Sequence, residues 1–300
     1  MTVMHPMATQ DNRPAGNDPR RAGTGRMRMT PGRRAALLFG VPICVALVLV
    51  TGLSLAADLG EASYPLSYTF PAAATKIAVS NEGGQLSLTQ GAVDRATLTG
   101  TAHYSLIHPK PPVASINGGV ASYDYRCRVP FGNCALDASL TIPRGMAASV
   151  STDGGNLKVT GTTGAIGLSS GGGELTAQNV SGGITMHTGG GNITADNVSG
   201  TASMSSDGGD IQATTVRSEG VTASSGGGNI TIAFTVVPRD VSVSTGGGDI
   251  TIIVPPGSTY HIIASTDGGN VNDSTVPQSG TSRNVITATS GGGDITIRQS

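Results

Sequence analysis

Three hundred residues with 45 Gly, 16 Pro, no Trp and few aromatic residues (6 Tyr, 4 Phe) exclude an ordinary enzyme core, in which large apolar side chains fill one interior. The formal net charge of −1 conceals a division. Residues 1–34 carry seven Arg against Asp11 and Asp18, whereas the remainder carries 11 Lys/Arg against 17 Asp/Glu.

Residues 1–34 are rich in Pro, Gly, Asn and Arg and hold almost no large aliphatic side chains, so they cannot bury enough surface to offset chain entropy. A disordered cytoplasmic tail is expected, drawn to anionic lipid headgroups, with no nucleic-acid partner. The next segment, AALLFGVPICVALVLVTGLSLAA, runs 23 residues from Ala35 to Ala57 without a charge, enough to cross a hydrocarbon core of roughly 30 Å as one transmembrane helix. Arg13, Arg20, Arg21, Arg26, Arg28, Arg33 and Arg34 precede it, and Asp58 and Glu61 follow. That asymmetry puts the N-terminus in the cytoplasm and everything past residue 57 outside, a single-pass cell-membrane topology. A cleaved signal peptide competes, with Ser54 and Ala56 as its small-x-small site, although its leader and apolar region would both be long. Pro42 is placed to kink the span, and Cys44 reads as an apolar filler. Residues 58–75 read as a spacer.

IAVSNEGGQLSLTQG, Ile77 to Gly91, looks like a first, worn copy of a glycine phrase that dominates the rest of the chain. Residues 101–139 break the pattern and hold four of the nine aromatics outside the membrane span; they are expected as extra strands and a loop capping the membrane-proximal end. Cys127 and Cys134 flank RVPFGN there, and in an oxidising space their expected state is a disulfide closing a small loop.

From residue 150 the phrase repeats as SSGGGELTA (Ser169 to Ala177), HTGGGNITA (His187 to Ala195), SSGGGNITI (Ser224 to Ile232), STGGGDITI (Ser244 to Ile252) and TSGGGDITI (Thr289 to Ile297). Aligned on the polar residue after the glycines, the column reads Asn156, Glu174, Asn192, Asp210, Asn229, Asp249, Asn270, Asp294, with steps of 18, 18, 18, 19, 20, 21 and 24. A period near 20 marks stacked coils. An aliphatic residue follows each column member, and period-two alternation on both sides of the glycines gives each coil two strands around a corner. The expected fold is all-β: a single-stacked β-solenoid (β-helix-like) of about 18–24-residue coils behind one transmembrane helix, occupying residues 76–300. Aliphatic residues and Ala face in, Ser and Thr face out, and glycine at the corner relieves crowding and permits positive φ. The polar column reads as a structural ladder in which neutral and acidic members alternate, each Asn amide donating to a flanking carboxylate.

The stretches IAVSNEGGQLSL, LTIPRGMAASVSTDGGNLKVTG and VSGGITMHTGGGNITADNVSG resemble the bacterial "putative adhesin" family, a domain of unknown function found behind N-terminal membrane helices. The resemblance covers about residues 76–300 and implies a Ser/Thr/Gly-faced solenoid at the cell surface. The Cys127/Cys134 loop departs from the simplest family pattern.

Chemistry is sparse. No Lys follows the glycine runs, as a phosphate-cradling loop requires. Calcium nonapeptide repeats need half this period, with Asp where Asn often stands here, so calcium on the column stays open. The five His are scattered, and the acids lie one per coil with no aromatic platform for sugar rings beside them. A non-catalytic module without cofactor or metal is expected. Membrane lipid is its expected partner through the span, and cell-wall polymer, glycan or another envelope protein through the solenoid. The row Lys158, Thr176, Thr194, Gln212, Thr231, Thr251, Asn272, Thr296 reads as ordinary strand surface or as a hydroxyl lattice for many weak contacts. The alternatives are an envelope scaffold or stress-response accessory, and a polysaccharide-acting β-helix enzyme.

Overall fold

A computed structural model describes residues 61–105, 112–126 and 134–300. The chain divides into two compact units, Met1–Leu53 and Ser54–Ser300, and every described residue lies in the second. The tail and the segment 35–57 lie outside the described residues, among which no helix is present and none is long and apolar enough to cross a membrane.

The first strands are β1 (Glu61–Thr69), β2 (Lys76–Asn81), β3 (Leu86–Gln90), β4 (Thr97–Ser105), β5 (Val113–Asn117), β6 (Val120–Tyr125) and β7 (Cys134–Ile142). The regular repeat supplies β8 (Ala147–Thr152), β9 (Leu157–Thr160), β10 (Ile166–Ser170), β11 (Leu175–Val180), β12 (Ile184–Thr188), β13 (Ile193–Val198), β14 (Ala202–Ser206) and β15 (Ile211–Val216). It continues with β16 (Gly220–Ser225), β17 (Ile230–Phe234), β18 (Asp240–Thr245), β19 (Ile250–Val254), β20 (His261–Thr266), β21 (Val271–Asn272), β22 (Val285–Ser290) and β23 (Ile295–Gln299).

Two sheets result. Sheet A has the order β1-β4-β7-β3-β9-β11-β13-β15-β17-β19-β23-β21, and sheet B the order β20-β22-β18-β16-β14-β12-β10-β8-β2-β6-β5. Each coil places its pre-glycine strand in sheet B and its post-glycine strand in sheet A. Equivalent residues stack in parallel register: Ile166 on Ile184 on Ala202 in sheet B, and Leu175 on Ile193 on Ile211 in sheet A. The architecture is all-β, two long parallel stacks consistent with a solenoid.

The inward residues of both sheets form one buried cluster, and their volumes compensate within each coil. Leu168, Met186 and Met204 in sheet B sit as far from the corner as Ala177, Ala195 and Ala213 in sheet A; in the next coil the sizes reverse, with Ala223 in sheet B and Ile232 in sheet A. A large residue opposite a small one keeps the gap between sheets constant at close-packed density.

Both ends depart from the repeat. At the N-terminal end β1, β4 and β7 pair antiparallel in sheet A, and the β5–β6 hairpin extends sheet B. Residues 61–69, expected as spacer, are therefore a strand, with Pro65 allowed because β1 is an edge. The hairpin turns on Gly118 and Gly119, both at positive φ (57° and 82°), as a two-residue turn of the mirror-image type requires. Tyr68, Phe70 and Tyr123 pack beneath it with ring centroids 5.0–6.3 Å apart.

At the other end the chain order and the stacking order differ. β22 and β23 stack directly on β18 and β19, while β20 and β21, which come earlier in the chain, lie outside them. The final coil carries the stronger stripe, Ile286, Ala288, Ile295 and Ile297, all buried. The displaced coil offers Ile262, Ala264 and a Val271 that stays 41% exposed, followed by Asp273. Burying the better stripe inside and spending the poorer one as a cap lowers the exposed apolar area. The loop 273–284 finishes that cap by burying Val276 beside Tyr260.

Away from the corners, Thr162, Val180, Val198, Val216, Phe234 and Val254 succeed one another at the end of each sheet A strand, linked by bonds such as Ser181 N–H to the Thr162 carbonyl. Thr162 is fully buried and its hydroxyl finds no partner. A buried, unpaired hydroxyl costs about 1–3 kcal/mol, so Thr162→Val is expected to stabilise the domain by about 1–2 kcal/mol in denaturant unfolding, with the m-value unchanged.

Candidate binding surfaces

Three polar systems run along the stack, and the first two hold it together. At the corner a hydroxyl, buried except at the half-buried Thr266, ends each sheet B strand of the regular repeat: Thr152, Ser170, Thr188, Ser206, Ser225, Thr245, Ser290 and Thr266. Ser170 Oγ donates to the Gly155 carbonyl of the preceding coil (2.9 Å) and accepts from the Gly173 N–H of its own (2.8 Å). The same pair of bonds recurs at Thr188, Ser206, Ser225, Thr245, Ser290 and Thr266. These Ser and Thr residues face in, against the expectation that all face out, because the corner leaves backbone groups that only an inward hydroxyl can reach.

The glycines follow from this lock. A Cβ at Gly173, Gly191, Gly209, Gly228, Gly248 or Gly293 would collide with the carbonyl oxygen of the equivalent glycine one coil before. The middle glycines, such as Gly172, Gly190 and Gly247, would meet nothing within 4 Å. Crowding is thus real at two of the three positions, but the expected positive φ is absent from these triplets. Left-handed residues sit at the opposite bend instead, at Asn179, Asn197 and Thr215 (φ 53–55°).

The second system is the polar column. Asn156 Oδ1 accepts the Glu174 N–H, Asn192 Oδ1 the Asp210 N–H, Asp210 Oδ1 the Asn229 N–H, and Asn229 Oδ1 the Asp249 N–H, at 2.7–2.9 Å. These links run from side chain to backbone; the expected amide-to-carboxylate bond is seen at Asn270, whose Nδ2 donates to Asp294 Oδ1 at 3.4 Å. Beyond Asp249 the alternation fails. Asp294 donates its N–H to Asp249 Oδ1, and Asn270 donates to Asp294 Oδ1, so the order is Asp249, Asp294, Asn270 and two acids are neighbours. This correction follows from the exchanged terminal coils. The column also extends further than the glycine phrase marks: Gln85 N–H donates to Asp137 Oδ1 at 2.7 Å, and Asp137 Oδ2 lies 3.5 Å from His103 Nε2. Only Asn and Asp accept in this way; Glu174 and Gln85, one methylene longer, hand nothing to the next coil.

The third system faces outward. In sheet A the row runs Ser67, Thr99, Ser139, Ser87, Lys158, Thr176, Thr194, Gln212, Thr231, Thr251, Thr296, Asn272; Thr296 and Asn272 exchange their expected places. Sheet B carries two rows, Ser149, Gly167, Thr185, Ser203, Thr222, Ser242, Thr287 and Ser151, Ser169, His187, Ser205, Ser224, Ser244, Thr289. Neither row contains a charged residue apart from a protonatable His187. A groove of about 610 Å³ crosses the first row, with Lys76 and Asp240 among its lining residues. A second groove, about 550 Å³, lies on sheet A around Asp137, Lys158 and Glu174. The sheet B lattice was missed in the sequence, although its signal is plain in IGLSS, ITMHT and VSVST.

His187 lies on the sheet B face and His261 on the terminal coil, and no group of three or more His, Cys, Asp or Glu side chains gathers among the described residues. Burial pushes the Tyr123 and Tyr125 phenols well above the ordinary tyrosine range, helped by neighbouring Tyr64, and moves Tyr260 the same way. These rings serve as neutral packing, with Tyr125 Oη donating to the His103 carbonyl. Cys134 opens β7 at 6% exposure; Cys127 lies outside the described residues.

Two parallel stacks joined by glycine corners define a domain of repeated β-coils. The chain belongs to the Toastrack DUF4097 family, which matches residues 129–298. It is similar in structure to a putative adhesin from Parabacteroides distasonis (14% identity, 79% of this chain, 96% of that chain, TM-score 0.49). It is also similar to a putative adhesin from Bacteroides fragilis (17%, 80%, 97%, 0.43) and to a putative cell adhesion protein from Clostridium sporogenes (16%, 80%, 100%, 0.30). No curated protein matches the chain.

The column yields a test. Neighbouring carboxylates one coil, about 4.8 Å, apart repel by roughly 1 kcal/mol at the dielectric of water. Asp249→Asn keeps the Oδ1 acceptor and removes the Asp249/Asp294 repulsion, so it should raise thermal stability at low salt. Asn229→Asp, which makes an unbroken acidic run from Asp210 to Asp294, should lower it. Calorimetry at about 1 M salt, where the Debye length falls to about 3 Å, should bring the two variants together.

Proposed function

We propose that the chain is a membrane-anchored, non-catalytic adhesion module, a single-stacked β-solenoid over residues 76–300 whose sheet B face holds a neutral, hydroxyl-rich polymer of the cell surface or wall. The observation that carries this reading is the double Ser/Thr row, free of formal charge from Ser149 to Thr289 and crossed by an open groove. Hydroxyls repeating every ~4.8 Å across strands and about 7 Å along them offer many weak, equivalent hydrogen bonds, and multivalency turns such contacts into retention. The interaction needs no cofactor or metal.

The anchor is the uncharged segment 35–57 behind seven arginines, with the tail 1–34 in the cytoplasm. A Cys127–Cys134 bridge is supported by the export this topology implies and by the buried start of β7. On intact cells, external protease should remove sequence beyond residue 57 and leave a membrane-held N-terminal fragment, and non-reducing peptide mapping should find Cys127 and Cys134 in one cross-linked peptide. A protected domain or two alkylatable thiols would overturn these assignments.

Retention of the full-length protein on insoluble chitin, cellulose and peptidoglycan tests the surface itself. Thr185→Lys and Thr222→Lys should each reduce retention roughly tenfold by displacing several hydroxyl contacts, equivalent to ~1.4 kcal/mol, with thermal stability unchanged. Thr194→Lys on sheet A should leave retention intact. No retention on any polymer, or equal loss from both faces, would refute the sheet B surface.

A further inference from the structure

The repeat is strict enough for its exceptions to be informative, and three of them meet in one place. In the polar column, Gln85 and Glu174 replace the Asn or Asp that every other position supplies, and among the described residues no side-chain oxygen reaches the N–H of the coil that follows either. In the outward row of sheet A, Lys158 is the charged member among Thr, Ser, Gln and Asn. All three line the 550 Å³ groove on that face, together with Asn156, Ser87 and Asp137. Residues that forgo a structural bond without a local gain mark places where another constraint operates.

Two of the three charges there are unspent. Asp137 is engaged on both oxygens, by the Gln85 N–H and by His103. Lys158 and Glu174 are exposed and make no ion pair among the described residues. They stand on adjacent strands, with Glu174 level with Asn156 and thus two residues out of step with Lys158. Strand geometry sets their Cα atoms roughly 8 Å apart, a diagonal that long side chains can span, yet both extend toward solvent without meeting. The remaining lining is amide and hydroxyl, which pairs with peptide N–H and C=O groups, and the volume falls within the usual range for a small-ligand site.

We propose that this groove is a second binding site, distinct from the hydroxyl face of sheet B, for a short peptide segment bearing both a carboxylate and an ammonium group. Lys158 receives the carboxylate and Glu174 the ammonium, with Asn156 beside both, and Gln85 and Ser87, one strand further on past Lys158, take the backbone that continues beyond the carboxylate. The site goes beyond adhesion to a neutral polymer and does not depend on it.

The test uses substitutions that repair the repeat. Glu174→Asn restores the missing column acceptor for the Asn192 N–H, and Lys158→Thr restores the row. Full-length wild-type protein is titrated at low salt with the end-blocked tetrapeptide Ala-Glu-Lys-Ala, with end-blocked Ala-Gln-Met-Ala and an N-acetylglucosamine tetramer as comparison probes, followed by NMR shifts. Wild type should bind the charged peptide saturably, and each repaired variant roughly tenfold more weakly, the worth of one charge-assisted contact. The melting temperature should hold for Lys158→Thr and rise by roughly 1–3 °C for Glu174→Asn as a small surface hydrogen bond is gained. The proposal falls if wild type ignores the charged peptide or binds either comparison probe as well, or if the repaired variants bind like wild type. It falls equally if they lower the melting temperature, because Glu174 and Lys158 would then be structural.

Discussion

The carbonyl oxygen of the last corner glycine sets the geometry of everything around it. It must accept a hydroxyl from the next coil, and it can do so only if that coil approaches to the strand spacing of about 4.8 Å with no Cβ in the way. Glycine at the equivalent position follows, as does a Ser or Thr three residues earlier turned inward. The entropy lost by ordering glycine is offset by a corner in which, from Ser170 on, the inward hydroxyl both donates and accepts, the condition under which a buried polar network stabilises a fold. With the corner fixed, the column residue arrives beside its neighbour's N–H, and the aliphatic residue after it turns into the core.

A stack of identical coils has a problem at its ends, where an apolar stripe and a row of unpaired backbone groups face water. The two ends solve it differently. At the start, antiparallel strands and an aromatic cluster break the repeat outright. At the finish, the chain lifts a weak coil outward and slides its last sixteen residues beneath it. The outermost strand of sheet A is then only two residues long, too short to template further pairing. Ile263 at 50% and Val271 at 41%, on the displaced coil, stay exposed as the residue of that compromise.

Most of this architecture is legible in the sequence because the corner phrase is long and its period narrow. What escaped has physical reasons. The exchange of the last two coils is invisible locally, since STDGGNV and TSGGGDI fit the same slot on β18 and β19 and only the comparison of Ile286, Ala288, Ile295 and Ile297 with Ile262, Ala264 and Val271 ranks them. Asp137 joins the column from β7, which runs parallel to β3 but has no glycines before it to announce the corner. The alternating Tyr64, Leu66 and Tyr68 of β1 are a strand signal, but Pro65 in their midst argues against a central strand and is silent about an edge. The inward Ser and Thr were misread because composition alone assigns hydroxyls to the surface, whereas here the glycine corner creates buried partners for them.

Stacking asks nothing of the outward side chains, and that makes their composition the most informative part of the molecule. Thr suits any strand surface, so if propensity alone decided, the two faces would look alike. They do not. Sheet A mixes Lys158, Asp196 and Arg298 with its Thr, as a solvated surface does, whereas sheet B keeps Ser and Thr through two rows and seven successive strands with only Gly167 and His187 intervening. Lys76 and Asp240 stand at the margin of that face, but keeping charge out of the two rows between forfeits part of the usual protection against self-association. Folding does not require those two rows to stay uncharged, and that is the physical basis of the proposal that they meet an extended, uncharged surface.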